Sequence, residues 1–133
     1  MSAGKPEDIV HQIYAAFGRG DLPALLSQLA DDVQWTLNGK GSIPYGGRHV
    51  GRAAVERWFV LLGQTVTFTQ FEIDRTAAHG PTVFCFGREA GTVKATGRSY
   101  STALLHVWEI VDSRVASFSD FFDSEAISSA HAR

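Results

Sequence analysis

The stretch Thr82-Val83-Phe84-Cys85-Phe86-Gly87-Arg88-Glu89-Ala90-Gly91-Thr92-Val93-Lys94-Ala95 decides the reading of the chain. Its β-branched and aromatic residues suit a long strand. Two glycines, Gly87 and Gly91, interrupt it. Glycine inside a strand marks a bend, a bulge or a close backbone approach. The strand therefore belongs to a sheet that curls. A curled sheet cannot fill its own hollow with side chains, so other elements have to roof it over.

Working outward, His79-Gly80-Pro81 is a turn back to an earlier strand that begins near Thr65. In that strand Val66 and Phe68 share one parity while Phe71 and Ile73 share the other. This slip predicts a bulge near Thr69-Gln70. Downstream, Thr96-Gly97 turns into a strand from about Arg98 to Val111. Asp112-Ser113 then turns into a last strand, Arg114 to Phe122, and Ser124 is a candidate cap for a short terminal helix.

The roof is read from the N-terminal half. Pro6, Glu7 and Asp8 suit a first helical turn, and Ile9, Val10, Ile13, Tyr14 and Phe17 recur at helical spacing. Gly18-Arg19-Gly20 stops that helix. Asp21 caps a second one, whose apolar face is Leu22, Leu25, Leu26 and Leu29 and which ends at Asp31-Asp32. Val33, Trp35 and Leu37 alternate as a half-buried strand. Asn38 to Gly47 is a glycine-rich loop with Pro44. Gly51 opens a third helix, with Val55, Trp58, Phe59 and Leu62 on one side. Helices followed by a meander of strands make an α+β domain, not a doubly wound parallel fold.

The 133 residues fit one domain, 1–133, with 44% hydrophobic and 20% charged residues. The net charge of -2 and the scattered basic residues argue against nucleic acid as a partner. No apolar run approaches the ~20 residues of a membrane helix, and no leader pattern stands at the N-terminus. The expectation is a cytoplasmic protein. The single cysteine, Cys85, lies in an apolar run and reads as a buried thiol, not a nucleophile. The five histidines lack metal-ligand spacing, so no metal or other cofactor is expected. Gly91 to Gly97 lacks the spacing of a phosphate loop.

Four groups of residues carry a resemblance. They are Ile13-Tyr14-Ala15-Ala16-Phe17 leading to Gly20-Asp21; Leu29-Ala30-Asp31-Asp32-Val33-Gln34-Trp35; Gly47 to Arg52; and Phe121-Phe122-Asp123. Over roughly Glu7 to Ala126 the chain resembles the NTF2-like superfamily, specifically its SnoaL-like and ketosteroid-isomerase-related members. The resemblance implies a cone of three N-terminal helices on a strongly curved antiparallel sheet, enclosing an apolar pocket. It leaves the activity open, because the superfamily includes isomerases, cyclases, hydrolases and non-enzymatic binders. Ketosteroid isomerases use a tyrosine, an aspartate base and a protonated aspartic acid. Carried across, those positions fall near Ile13, Leu37 and Leu105, all apolar, so the steroid-isomerase mechanism is disfavoured. Tyr14 is one residue from the first position, a rotation of ~100° on a helix.

Asp120 is the leading catalytic candidate. It lies between Phe118 and Phe122 on one strand face, where desolvation would raise its pKa and suit it to acid/base work. The SnoaL-like cyclases and related epoxide hydrolases place an essential aspartate in this region, and Asp120 is the nearest match. The alternative is an acid on the outer face or in a salt bridge. Arg88 shares parity with Phe84 and Phe86, and family pockets often hold an arginine that orients a ligand oxygen. Its alternative is a solvent-facing charge beside Glu89. Trp35, Tyr14, Tyr45 and Trp58 are candidate pocket walls, with plain core as the alternative, favoured for Trp58. Tyr45 sits in the glycine-rich loop as a candidate lid residue, and His49 is expected to be exposed. Both faces of the strand around His106 are apolar. The register carried from the resemblance turns Leu105 inward, which puts His106 and Trp108 in a homodimer interface, His106 as a hydrogen-bonded interface histidine with catalysis as the alternative.

The function implied is acid/base isomerase, cyclase or hydrolase chemistry on a small, largely apolar, oxygenated molecule. The alternatives are a non-catalytic small-molecule binder or accessory dimer, and a purely structural dimerisation domain.

Overall fold

The computed structural model describes residues 5–39 and 42–133. The order of elements is α1 (Pro6–Arg19), α2 (Leu22–Ser27), β1 (Leu29–Leu37), β2 (Gly47–Val50), α3 (Arg52–Thr65), β3 (Val66–His79), β4 (Thr82–Val93), β5 (Ser99–Val111), β6 (Arg114–Phe122) and α4 (Ser124–His131). Among the described residues the strands form one sheet in the order β2-β1-β6-β5-β4-β3. Neighbours are antiparallel except β1 and β6, which run parallel. The sheet curls without closing, and the helices lie against it: α1 meets β3 and β4, α3 meets β1 to β3, and α4 meets β4 and β5.

The curl comes from β3 and β4. The register slips between Phe68 and Gln70, the predicted bulge, and again between Ile73 and Arg75, a second bulge that residue parity did not signal. At the second bulge the β3 backbone folds hard over Gly87. A Cβ placed on Gly87 would stand 1.9 Å from the carbonyl oxygen of Glu72. At Gly91 a Cβ would meet Val66 Cγ1 at 2.8 Å and the Tyr100 hydroxyl at 3.1 Å. Both glycines are therefore sites of close approach, as glycine within a strand implies.

Local signals explain most boundaries. Asp21 accepts from the Ala24 amide and caps α2. The tight β5–β6 turn holds Asp112 and Ser113 at positive φ, the conformation a two-residue hairpin demands. Other boundaries differ from the sequence reading. Helix α2 ends at Ser27, and Leu29, Asp31 and Asp32 belong to β1. Leu29 pairs with Val115 of β6, and tertiary pairing overrides the helical spacing of the leucines. Gly47–Val50 is an edge strand paired with β1, not merely a lead-in to α3. Asp123, not Ser124, caps α4 through the Ala126 amide. Positions 40 and 41 of the expected loop lie outside the described residues.

One correction matters for function. On β5 the buried face is Tyr100, Thr102, Leu104, His106, Trp108 and Ile110, so it is the His106 face that points into the cone. Leu105 points outward, between Phe86 and Phe121 in register. His106 and Trp108 are 5% and 2% exposed within a single chain and have no surface to offer a partner. Inner Phe118 and Asp120 on β6 pair with Trp108 and His106, which fixes the side.

Candidate active site

The curl leaves a cavity of about 60 Å³ between sheet and helices. Its wall is mostly aromatic and aliphatic. The three tryptophans Trp35, Trp58 and Trp108 all line it, with Phe59, Phe118 and Phe122. The polar side chains that reach it include Tyr14, Tyr45, Glu89, His106 and Asp120.

One polar group is built across three elements. Helix α1 presents Tyr14, β5 presents His106 and Trp108, and β6 presents Asp120 directly opposite His106. The Trp108 indole N–H donates to the Tyr14 oxygen at 3.1 Å. The Tyr14 hydroxyl lies 2.6 Å from His106 Nδ1. Burial holds the Tyr14 phenol well above its usual pKa, so it keeps its proton and donates it to Nδ1. With Nδ1 accepting, the His106 ring proton sits on Nε2. Nε2 stands 3.2 Å from Asp120 Oδ1. This close approach lacks hydrogen-bond alignment, and Asp120 Oδ1 has no hydrogen-bond partner among the described residues. The carboxylate is 7% exposed and packs beside Phe118 and Phe122. The Trp35 Nε1, two positions from Leu37 on the same face of β1, is likewise buried without a partner. Two cavity-lining residues thus each carry a buried polar atom with no hydrogen-bond partner among the described residues, an arrangement that costs folding free energy.

A second polar group stands further along the cone. Glu89, on the inner face of β4, is 7% exposed and accepts from the Tyr100 hydroxyl at 3.2 Å. Burial, then the charge of Asp120, pushes its carboxyl up to about 7, against the restraining hydrogen bond from Tyr100. Tyr45 joins from the loop before β2. Its hydroxyl lies 3.2 Å from Nε2 of His131 on α4, and its carbonyl accepts from the Trp58 indole at 2.8 Å. Burial lowers the pKa of His131 and raises that of Tyr45, so the tyrosine is the donor. Among the described residues no cluster of three His, Cys, Asp or Glu side chains is grouped as a metal site.

The sequence-predicted residues divide cleanly. Asp120, Tyr14, Trp35, Tyr45 and Trp58 all line the cavity. Ile13 and Tyr14 both reach it, so a one-residue step on α1 did not remove the tyrosine. Arg88 does not reach it. Its side chain is 57% exposed, 3.1 Å from Asp74 Oδ2 and 3.9 Å from Glu72 Oε2, on the outside of β4. The inner face of that strand is Val83, Cys85 and Glu89, so sharing parity with Phe84 and Phe86 put Arg88 outside. Glu89 is the site residue that the sequence reading missed, and His106, read there mainly as an interface residue, belongs to the site. His49 is half-buried, with Nε2 near the Tyr45 and Gly46 carbonyls. Cys85 is fully buried and burial raises its pKa, as expected of an inert thiol.

Comparison with known proteins agrees with this architecture. The SnoaL-like domain model matches residues 10–118. An NTF2-like protein from Burkholderia xenovorans LB400 is 30% identical, covers 99% of each chain and superposes with a TM-score of 0.89. An NTF2-like protein from Burkholderia thailandensis E264 is 28% identical over 98% of this chain and 99% of its own, with a TM-score of 0.88. A candidate polyketide cyclase from Xanthomonas campestris pv. campestris shares the fold at 20% identity, 96% coverage of each chain and a TM-score of 0.79. Curated proteins give no match. No described helix is long and apolar enough to cross a membrane. The cone, its cavity and the match over residues 10–118 make this chain a member of the SnoaL-like family, with an NTF2-like fold.

Proposed function

We propose that the chain is an acid/base enzyme that removes a proton beside an oxygen function of a small, largely apolar molecule held in the cone. The observation that carries this is the Asp120 carboxylate, buried among aromatics with Oδ1 unpartnered and backed by His106 and Tyr14. A carboxylate at the end of such a chain is positioned as a general base. His106 orients it, and Tyr14 fixes the histidine tautomer. The orphaned Trp35 N–H suits an oxygen that gains charge as the proton leaves. Isomerisation and ring-closing condensation both begin with such a step. The fold shared with a candidate polyketide cyclase is compatible with the second.

The test follows exchange of the α-protons of 1-tetralone in deuterated buffer by NMR. Exchange above the buffer rate is expected with the parent. Asp120→Asn is expected to lose about a hundredfold of it, while His106→Gln loses less. Tight retention of 1-tetralone without exchange would favour a non-catalytic binder instead, a reading to which apolar Ile13 and Leu37 in the cavity wall lend some weight.

A homodimer remains part of the proposal, but through the opposite face of β5. There Phe86 and Phe121 are 41% and 47% exposed on either side of Leu105. Sedimentation is expected to give a dimer at micromolar concentration and a monomer for Phe121→Glu. A monomeric parent would contradict it.

A further inference from the structure

Glu89 is not explained by a reaction confined to Asp120. It is a buried acid on the inner face of β4, lines the cavity, and is opposed by Thr102 in register. Asp120 is opposed by His106. The two levels are four residues apart on β5, roughly 13 Å along a strand. The Tyr100 hydroxyl takes up Oε2 of Glu89, and Tyr45 stands nearby. The groups of known charge or proton affinity that bear on it are therefore Tyr100 on β5, Asp120 on β6 and Tyr45 before β2, and no cation is among them. An acid in an apolar wall with no cationic partner among the described residues is held as the neutral carboxyl, which is a donor as well as an acceptor. The space between the two levels is walled by apolar and aromatic side chains.

We propose that Glu89 is a second recognition group of this cavity, a carboxylic acid donating a hydrogen bond to an oxygen at the far end of an uncharged, flat molecule whose reacting end lies at Asp120. This deepens the acid/base reading and rests on the same cavity being the ligand site. The ligand class is a bicyclic-sized compound with an oxygen function at each end and no net charge, since an anion would meet two carboxyls in a largely apolar site.

The probes are 1-tetralone, with one oxygen, and 6-methoxy-1-tetralone, whose added ether oxygen can only accept. Binding is read from quenching of the three cavity tryptophans. At about pH 6 the parent is expected to bind the methoxy compound about fivefold more tightly. The preference should vanish near pH 9, where the Glu89 carboxyl has ionised. Glu89→Gln keeps a donor and should hold the preference at both pH values, while Glu89→Leu should show none at either. If Glu89→Leu does not fold, the contrast between parent and Glu89→Gln decides. Equal affinities of the parent for both probes near pH 6, or an unchanged preference in Glu89→Leu, would overturn the proposal. Asp120-dependent exchange without any methoxy preference would sink this inference alone, and the preference without exchange would sink the catalytic reading alone.

Discussion

At about pH 8 the Glu89→Gln protein is expected to be more stable than the parent by about 3 kcal/mol, and near pH 4 the two should be equal. The reason is the proton on Glu89. In the unfolded chain this carboxyl has its ordinary value of 4.5; in the cone burial and the Asp120 charge raise it to about 7. Below the lower value both states hold the proton and it has no effect on folding. Between 4.5 and about 7 the unfolded chain releases a proton that the native state retains, so native stability falls as pH rises. Above that window the native state carries a desolvated charge and the loss is complete. At ~1.4 kcal/mol per pH unit the rise corresponds to about 3 kcal/mol, an order-of-magnitude figure. Glutamine has the same shape, still accepts from Tyr100, and never ionises. Urea unfolding of both proteins across this range checks it. A pH-independent difference would mean that Glu89 is solvated. A stability cost retained at one cavity position is what a functional site commonly shows.

Gly87→Ala is expected to destabilise the fold by at least about 3 kcal/mol, more than other small additions to a packed site. The added methyl would lie 1.9 Å from a backbone carbonyl oxygen, that of Glu72, with no flexible side chain to move aside. Relief requires β3 to swing away, which breaks its pairing near Ile73 and flattens the curl that makes the cavity. Gly63→Ala is the control. It lies inside α3 with nothing within 4 Å of a new Cβ, and it should stabilise by up to ~1 kcal/mol. Similar effects of the two substitutions in denaturant unfolding would show that β3 and β4 are not so closely opposed.

These two positions show where the sequence was legible and where it was not. Gly87 and Gly91 announced the curl, because only a close approach or a bend explains glycine amid β-formers. Asp120 was legible because its neighbours two residues away are both phenylalanine. His106 was not, since both faces of β5 are apolar and a period of two cannot then choose the inner one. The choice came from a register off by one residue, which turns every side chain over. Glu89 was hidden by its neighbour. Phe84 and Phe86 are outer-face aromatics, and reading them as interior moved attention to Arg88. The inner sequence Val83, Cys85, Gly87, Glu89, Gly91 and Val93 was available, and its small residues were the signal for the crowded side of a curled strand. The α2–β1 boundary failed for a different reason. Leu22, Leu25, Leu26 and Leu29 keep helical spacing, but Leu29 is claimed by pairing to Val115, a contact no local pattern encodes.

Glu89 and Asp120 share one largely apolar cavity, and the charge of Asp120 acts on Glu89. Carboxyl carbon NMR of Glu89 measures this directly. A titration midpoint near 7 is expected, moving down in Asp120→Asn as the neighbouring charge is removed. A midpoint at the ordinary 4.5, unmoved by Asp120→Asn, would mean that Glu89 faces water and that the cavity described here does not enclose a site.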